Sequence, residues 1–327
     1  MFFQPCCIGT IAAFTRALYA CLTGRMISPL CGARRDQLLH PARGATSCYI
    51  LRAEKHALVL DCGTGLYDAA PYLAGCAEID VLLTHLHYDH ILGLLDSSAI
   101  PSEARVRVYI SGTYASNIQK LMDFLRAPFW PISKHIGEIT FVDCGQVLRL
   151  TERVSVRFFS ANHPNDATII RVDTDNGSVC LVCDWEHDST NSDADFVVEA
   201  PRDTILEGED TKAESRIFSY DEERELSYDK GCGLSHAALT LKEALRGCAL
   251  MLYDGMYTEE EYPSRKGWGH STWQEGVKAA TQNHVSKLII THHLPERTDE
   301  ELLALEAQAQ EVFPDIRFAR AGDVYAL

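Results

Sequence analysis

The chain lacks an excess of basic residues. Across 327 residues, 30 Lys and Arg stand against 46 Asp and Glu, a formal net charge of −16. A surface built to neutralise a nucleic-acid backbone calls for clustered cations, so the balance argues against a nucleic-acid polymer as partner. A small anionic substrate stays open, because a metal site supplies positive charge locally. The N-terminus lacks a basic segment ahead of a long apolar run. "MFFQPCCIGTIAAFTRALYACLTGR" is apolar in places, but Arg16 interrupts it, and both a cleaved signal and a membrane span fit it poorly. Residues 1–16 are expected to form an N-terminal extension to one domain over 17–327, in the cytoplasm and with no membrane partner. Internal repeats and heptads are absent too, which excludes solenoids and coiled coils.

A disulfide framework is a further absence, despite twelve cysteines. Cys62, Cys76, Cys144, Cys180, Cys183 and Cys248 are scattered through apolar segments of a chain too long to need such staples, so reduced, buried thiols are expected. "CLVC" at 180–183 has redox-motif spacing but lies in a strand-like run, where positions i and i+3 point to opposite faces.

What is present is a set of short apolar runs, each ending in a chemically useful residue. "HALVLD" ends at Asp61 and is followed by the tight turn "CGTG"; "IDVLLTH" ends at His85 and "VSVRFFSANH" at His163. "SVCLVCD", "CALMLYD" and "SKLIITH" end at Asp184, Asp254 and His292. Runs rich in Val, Leu and Ile predict buried strands, and an α/β sheet gathers its site at strand carboxyl ends. Between them, "TYASNIQKLMDFL", "HAALTLKEALRG", "STWQEGVKAATQNH" and "DEELLALEAQAQEVF" predict helices, with Ser271-Thr272 and Glu275 marking one helix start. Alternating strands and helices predict a layered α/β domain. The acidic, weakly periodic stretch at about 188–235 is expected to be an insertion or long loop.

The densest chemistry is "LLTHLHYDH" at 82–90. On an extended strand end His85 and His87 fall on one side and reach one cation, while Asp89 and His90 come after a turn and face elsewhere. One cation hardly takes all four, so two neighbouring cations are expected. Histidine and carboxylate donors suit zinc, with manganese or iron compatible.

"THLHYDH" resembles the H-x-H-x-D-H signature of the metallo-β-lactamase superfamily. "LVLDCGTG" resembles the strand and turn ahead of that signature, and "ANHP", "VCDWEH" and "ITHH" resemble the later ligand motifs in the same order. The resemblance implies an αββα sandwich with two divalent metal ions at one edge of its sheets. It implies that His85, His87 and His163 hold the first ion, that Asp89, His90 and His292 hold the second, and that Asp184 bridges. The doublet leaves His293 as the alternative to His292. Asp184 stands where a Cys would mark true β-lactamases, and His87 where a Glu would mark flavodiiron oxidoreductases.

Within the superfamily, "GATSC", "DWEH", "YDGMYTEEEY" and "WGHST" resemble a group of bacterial metallo-hydrolases near the phosphodiesterase branch. Asp89 would then orient the nucleophilic water as well as ligate, Asp61 would accept a ligand histidine's N–H, and His270 would act as general acid. Asp254, Tyr257, Glu186 and His187 would border the site, and Phe129 and Trp130 of "APFWPIS" would stack on a ring of the substrate. The expected function is a phosphodiesterase acting on a small phosphodiester such as a cyclic nucleotide. A thioester or lactone hydrolase of the same fold is the first alternative, and a metal-containing sensor without turnover the second. A tRNA-processing nuclease is set aside, because neither a basic arm nor that family's "HEAT" segment is present. A small-molecule substrate is expected, and a homodimer is compatible.

Overall fold

Short apolar runs bury both faces of a strand only when a layer lies on each side, and these runs meet that condition. The computed structural model describes residues 45–112, 116–126, 137–163, 166–187, 217–219, 241–320 and 323–325. The expected 1–16 extension, the 188–235 insertion apart from 217–219, and Phe129 and Trp130 lie outside the described residues.

One sheet has the order β1-β2-β3-β4-β5-β10. Its strands are β1 (Tyr49–Ala53), β2 (His56–Leu60), β3 (Glu78–Leu83), β4 (Arg105–Ile110), β5 (Glu138–Phe141) and β10 (Ile217–Ser219). The second has the order β13-β12-β11-β9-β8-β7-β6. It contains β6 (Val147–Arg149), β7 (Val154–Ser160), β8 (Thr168–Thr174), β9 (Gly177–Val182), β11 (Leu250–Asp254), β12 (Lys287–Thr291) and β13 (Ile316–Phe318). Strands β2 to β5 run parallel, as do β9, β11, β12 and β13, so their carboxyl ends gather at one edge of each sheet.

Three apolar layers follow from the alternation along each strand. Leu58, Leu60, Leu82 and Tyr109 of the first sheet meet Phe158, Ile170, Leu181, Leu252 and Ile289 of the second between the sheets. Outward-facing Val59, Val81, Leu83 and Val108 pack on Ile118, Leu121 and Met122 of α3 (Asn117–Phe124). On the other outer face, Cys180, Met251, Tyr253 and Ile290 are covered by α5 (Trp273–Gln282) and α6 (Asp299–Val312), through Trp273, Ala280, Leu302 and Ala309. The result is the αββα sandwich. Cys180 and Cys183 fall in different layers, which removes "CLVC" as a redox pair.

The helix starts follow their capping chemistry. Thr272 accepts the N–H of Glu275 at 3.2 Å ahead of α5, and Thr298 with Glu301 forms a reciprocal capping box on α6. The short helices α1 (Ala70–Leu73), α2 (Tyr88–Ile91) and α4 (Leu241–Leu245) complete the set. Of the expected helices over 113–125 and 236–247, the described portions are α3 and α4. Among the described residues no helix is long and apolar enough to cross a membrane.

Two glycines allow the motif loops to touch. A Cβ on Gly63 would sit 2.1 Å from the Asp89 carbonyl oxygen, and one on Gly93 would sit 2.2 Å from the Gly63 carbonyl oxygen. The "CGTG" turn is thereby pressed backbone to backbone against the segment carrying Asp89 and His90, with Gly93 N–H donating to Cys62 O at 2.7 Å. Gly93→Ala is expected to cost roughly 1–3 kcal/mol of stability, read by chemical denaturation, with metal binding weakened alongside.

Candidate metal centre

The strand ends deliver the site residues by an abrupt change of backbone direction. Asp61, Asp184 and His292 follow β2, β9 and β12 by one or two residues and adopt φ of 58°, 52° and 57°. A side chain in this left-handed region costs about 1–2 kcal/mol, and all three face the same edge. His85 lies two residues beyond β3. His87 keeps extended geometry as the N-cap of α2, whose single turn then carries Asp89 and His90.

These residues converge on one carboxylate. Asp184 Oδ2 lies 3.4 Å from His85 Nε2 and 3.5 Å from His163 Nε2, while its Oδ1 lies 3.1 Å from His90 Nε2 and 3.0 Å from His292 Nε2. His87 Nδ1 completes the first group at 3.4 Å from His163 Nε2. Asp89 Oδ2 completes the second, 3.3 Å from His90 Nε2 and 3.4 Å from His292 Nε2. The structure thus brings the seven expected ligands together as two donor groups sharing Asp184.

The donor set itself fits a cation. His85 Nε2 and His90 Nε2 are fully buried and make no hydrogen bond, an arrangement that is costly unless something else occupies those lone pairs. Five imidazoles and two carboxylates are the donors that hold divalent first-row metals. The residues fit two divalent ions.

Electrostatics agree. Burial disfavours charge on Asp184 and Asp89, yet His292 and His90 beside them hold both carboxyls far below the ordinary range. Burial pushes His85 down to about 4 and lowers His163, leaving neutral imidazoles fit to ligate at pH 7. His90 and His292 are drawn upward against burial, chiefly by Asp184. The acids therefore demand positive charge at this point, and a dication answers that demand.

A supporting shell fixes the ring orientations. Buried Asp61 accepts His90 Nδ1–H at 2.8 Å and the Thr84 N–H at 2.8 Å, and both of its oxygens receive the Thr84 hydroxyl. Thr84 Oγ1 also lies 3.0 Å from His85 Nδ1, and the Thr84 carbonyl accepts both N–H and hydroxyl of Thr168 from the other sheet. His163 Nδ1–H donates to Gly269 O at 2.8 Å. Buried Asp254 accepts His270 Nδ1–H at 2.8 Å, and the His270 ring stacks on His292 at 4.9 Å. Tyr257 meets His270 edge-on at 6.2 Å. The doublet divides cleanly: His292 joins the cluster, whereas His293 stacks on Phe318 at 5.5 Å and faces Ala319 O.

Sequence reasoning missed three contributors. Thr84 precedes the first motif histidine, and its hydroxyl was a readable signal. The Gly269 carbonyl carried none. Glu186, expected to border the site, accepts the N–H groups of Gly267 at 2.6 Å and Gly269 at 2.9 Å and the Tyr262 hydroxyl at 2.9 Å; the part not foreseen is that it braces the loop that presents His270.

A donor cluster that fits divalent metal at the edge of an αββα sandwich is the arrangement of a metal-dependent hydrolase. The family follows from the sequence: a family model described as the metallo-beta-lactamase superfamily matches residues 41–206, and the chain belongs to that superfamily. The Ribonuclease Z of Gemmatimonas aurantiaca is 24% identical over 297 residues, which span 86% of this chain and 89% of the relative. That of Methanopyrus kandleri is 25% identical over 275 residues, spanning 81% and 85%. Among solved structures, the metallo-beta-lactamase fold protein YhfI of Bacillus subtilis superposes with a TM-score of 0.54 at 15% identity, covering 86% of this chain and 90% of that one. The short form of human tRNase Z gives 0.54 at 14%, covering 86% and 92%. At these identities the two structures show the fold alone.

These relatives overturn one expectation, that no nucleic-acid polymer is involved: they are ribonucleases matched over most of their length. The net charge misled because it sums the whole chain, including the acidic 188–235 stretch, whereas a substrate meets only the centre and the few side chains around it. The same relatives count against setting aside a tRNA-processing nuclease for want of a basic arm and a "HEAT" segment.

Metal analysis of the purified protein is expected to give about two equivalents of divalent metal per chain. Asp184→Ala is expected to bring this to one or fewer, and His292→Ala to lower it where His293→Ala leaves it near two. Chelation is expected to lower the melting temperature, since ligands that bind the folded state stabilise it by mass action.

Proposed function

We propose that the chain hydrolyses a phosphodiester bond in RNA, with zinc as the native metal. The observation that carries this reading is the Asp254–His270 pair, placed against His292 and the two-ion cluster. A ribose oxygen departs as a strongly basic alkoxide and needs a proton, whereas a thiolate, with an ordinary thiol pKa near 8.5, leaves without much help. A dedicated proton donor beside the cluster therefore favours phosphodiester over thioester cleavage. The full-length Ribonuclease Z relatives support an RNA strand over the cyclic nucleotide expected at first.

When bound, two divalent cations supply Lewis-acid polarisation of a phosphoryl oxygen and acidify a water. Asp89, on the one-turn helix and partly exposed, accepts a hydrogen bond from the attacking water and aims it. Asp61 and Gly269 hold His90 and His163 by their Nδ1–H groups, so that Nε2 faces inward in both. His270 donates from Nε2 to the leaving oxygen while Asp254 receives its Nδ1–H and balances the imidazolium charge. A cytoplasmic setting fits the buried thiols, of which Cys48, Cys62 and Cys183 are held protonated by burial.

Turnover of bis-p-nitrophenyl phosphate by the metal-loaded protein is expected, and Asp89→Ala should abolish it. His270→Ala should slow cleavage of an oligoribonucleotide by about 10²- to 10⁴-fold and that of the p-nitrophenyl ester far less, because p-nitrophenolate needs no proton. Activity confined to acyl thioesters would overturn the proposal.

A further inference from the structure

The turn leading to His270 carries two side chains that the metal chemistry does not use. Trp268 is 58% exposed. The guanidinium carbon of Arg265 lies 5.0 Å from its ring centroid and 5.8 Å from that of Tyr257. Since Tyr257 also meets His270 edge-on, the order Tyr257, Arg265, Trp268 leads from beside the proton donor out to solvent.

The turn is braced. One buried carboxylate, Glu186, receives the N–H groups of both residues flanking Trp268, and Gly267 and Gly269 both adopt a φ of 87° that side chains avoid. Trp268 N–H in turn donates to Arg265 O at 3.1 Å. Fixing an indole in water contributes little to folding, so a held, exposed ring beside a reaction centre is preorganised for something that binds. Arg265 adds a second, independent sign. Among the described residues no carboxylate pairs with it, although the chain carries a net charge of −16. A guanidinium stacked on rings keeps its N–H edge free for a planar anion such as phosphate.

We propose that Trp268 and Arg265 form a nucleotide platform beside the metal centre. The indole stacks on a nucleobase next to the scissile bond, and the guanidinium pairs with the adjoining phosphate. The inference rests on the RNA phosphodiester reading and adds what the metals cannot supply, a grip on the strand itself. Stacking tolerates any base, since every base has a π face, so the platform positions the strand without selecting its sequence.

Two measurements on metal-loaded protein test it. Fluorescence polarisation with a labelled short oligoribonucleotide made cleavage-resistant by phosphorothioate linkages reads binding without turnover, and KM is compared between the unmodified oligonucleotide and methyl p-nitrophenyl phosphate, which has no base. Trp268→Ala is expected to weaken oligonucleotide binding and raise its KM by roughly 5- to 100-fold, at least fivefold more than any effect on the methyl ester. Trp268→Phe should recover most of the loss and Trp268→Leu little. An abasic nucleotide at the stacked position should erase the difference between the natural protein and Trp268→Ala. Arg265→Ala should flatten the dependence of log KM on log salt by about 0.7, the share of one single-strand phosphate. Equal losses on both substrates, or unchanged oligonucleotide binding in Trp268→Ala, would overturn the platform while leaving the phosphodiesterase intact. Failure of the natural protein to cleave any phosphodiester would instead sink the functional reading.

Discussion

The whole arrangement depends on one buried carboxylate. Asp184 places each of its oxygens before a different pair of imidazoles, and neither pair has another acid that reaches both sides. A buried carboxylate is tolerated only if opposite charge faces it, and here that charge must come from two directions. The strained backbone at Asp184 and His292, the buried Asp61 and the braced loop below Gly269 all aim donors at those two points. Strain and burial of this kind normally destabilise a chain; grouped around donors that fit divalent metal they become the specification of the site.

Much of this was legible in the sequence because the chain advertises its strand ends. Each apolar run that stops at an Asp or His became a strand ending within three residues of it, and the layers followed from runs apolar on both faces. What could not be read is what backbone reversal and long-range pairing decide. Nothing in "ITHH" says which imidazole turns inward; a left-handed φ at His292 decides it and sends His293 to the outer layer against Phe318. Glu186 is separated by about eighty residues from the amides it grips, and amides have no sequence signature. The aromatic pair at 129–130 attracted notice by composition, whereas Trp268, two residues from His270, drew none.

Net charge was the poorest guide. Affinity for a polyanion is set by the local potential along its path, which a whole-chain sum does not report.

Each donor group draws on both sheets. His85, His87, Asp89 and His90 follow the first, whereas His163, Asp184 and His292 follow the second. The width of each group is therefore set by side chains far from any polar chemistry, by how closely Phe158, Leu181 and Leu252 seat against Leu60 and Leu82. The greasy interior works as a spacer gauge for the donor cluster, and a methyl group gained or lost there alters the span that a metal would have to bridge without touching a single donor.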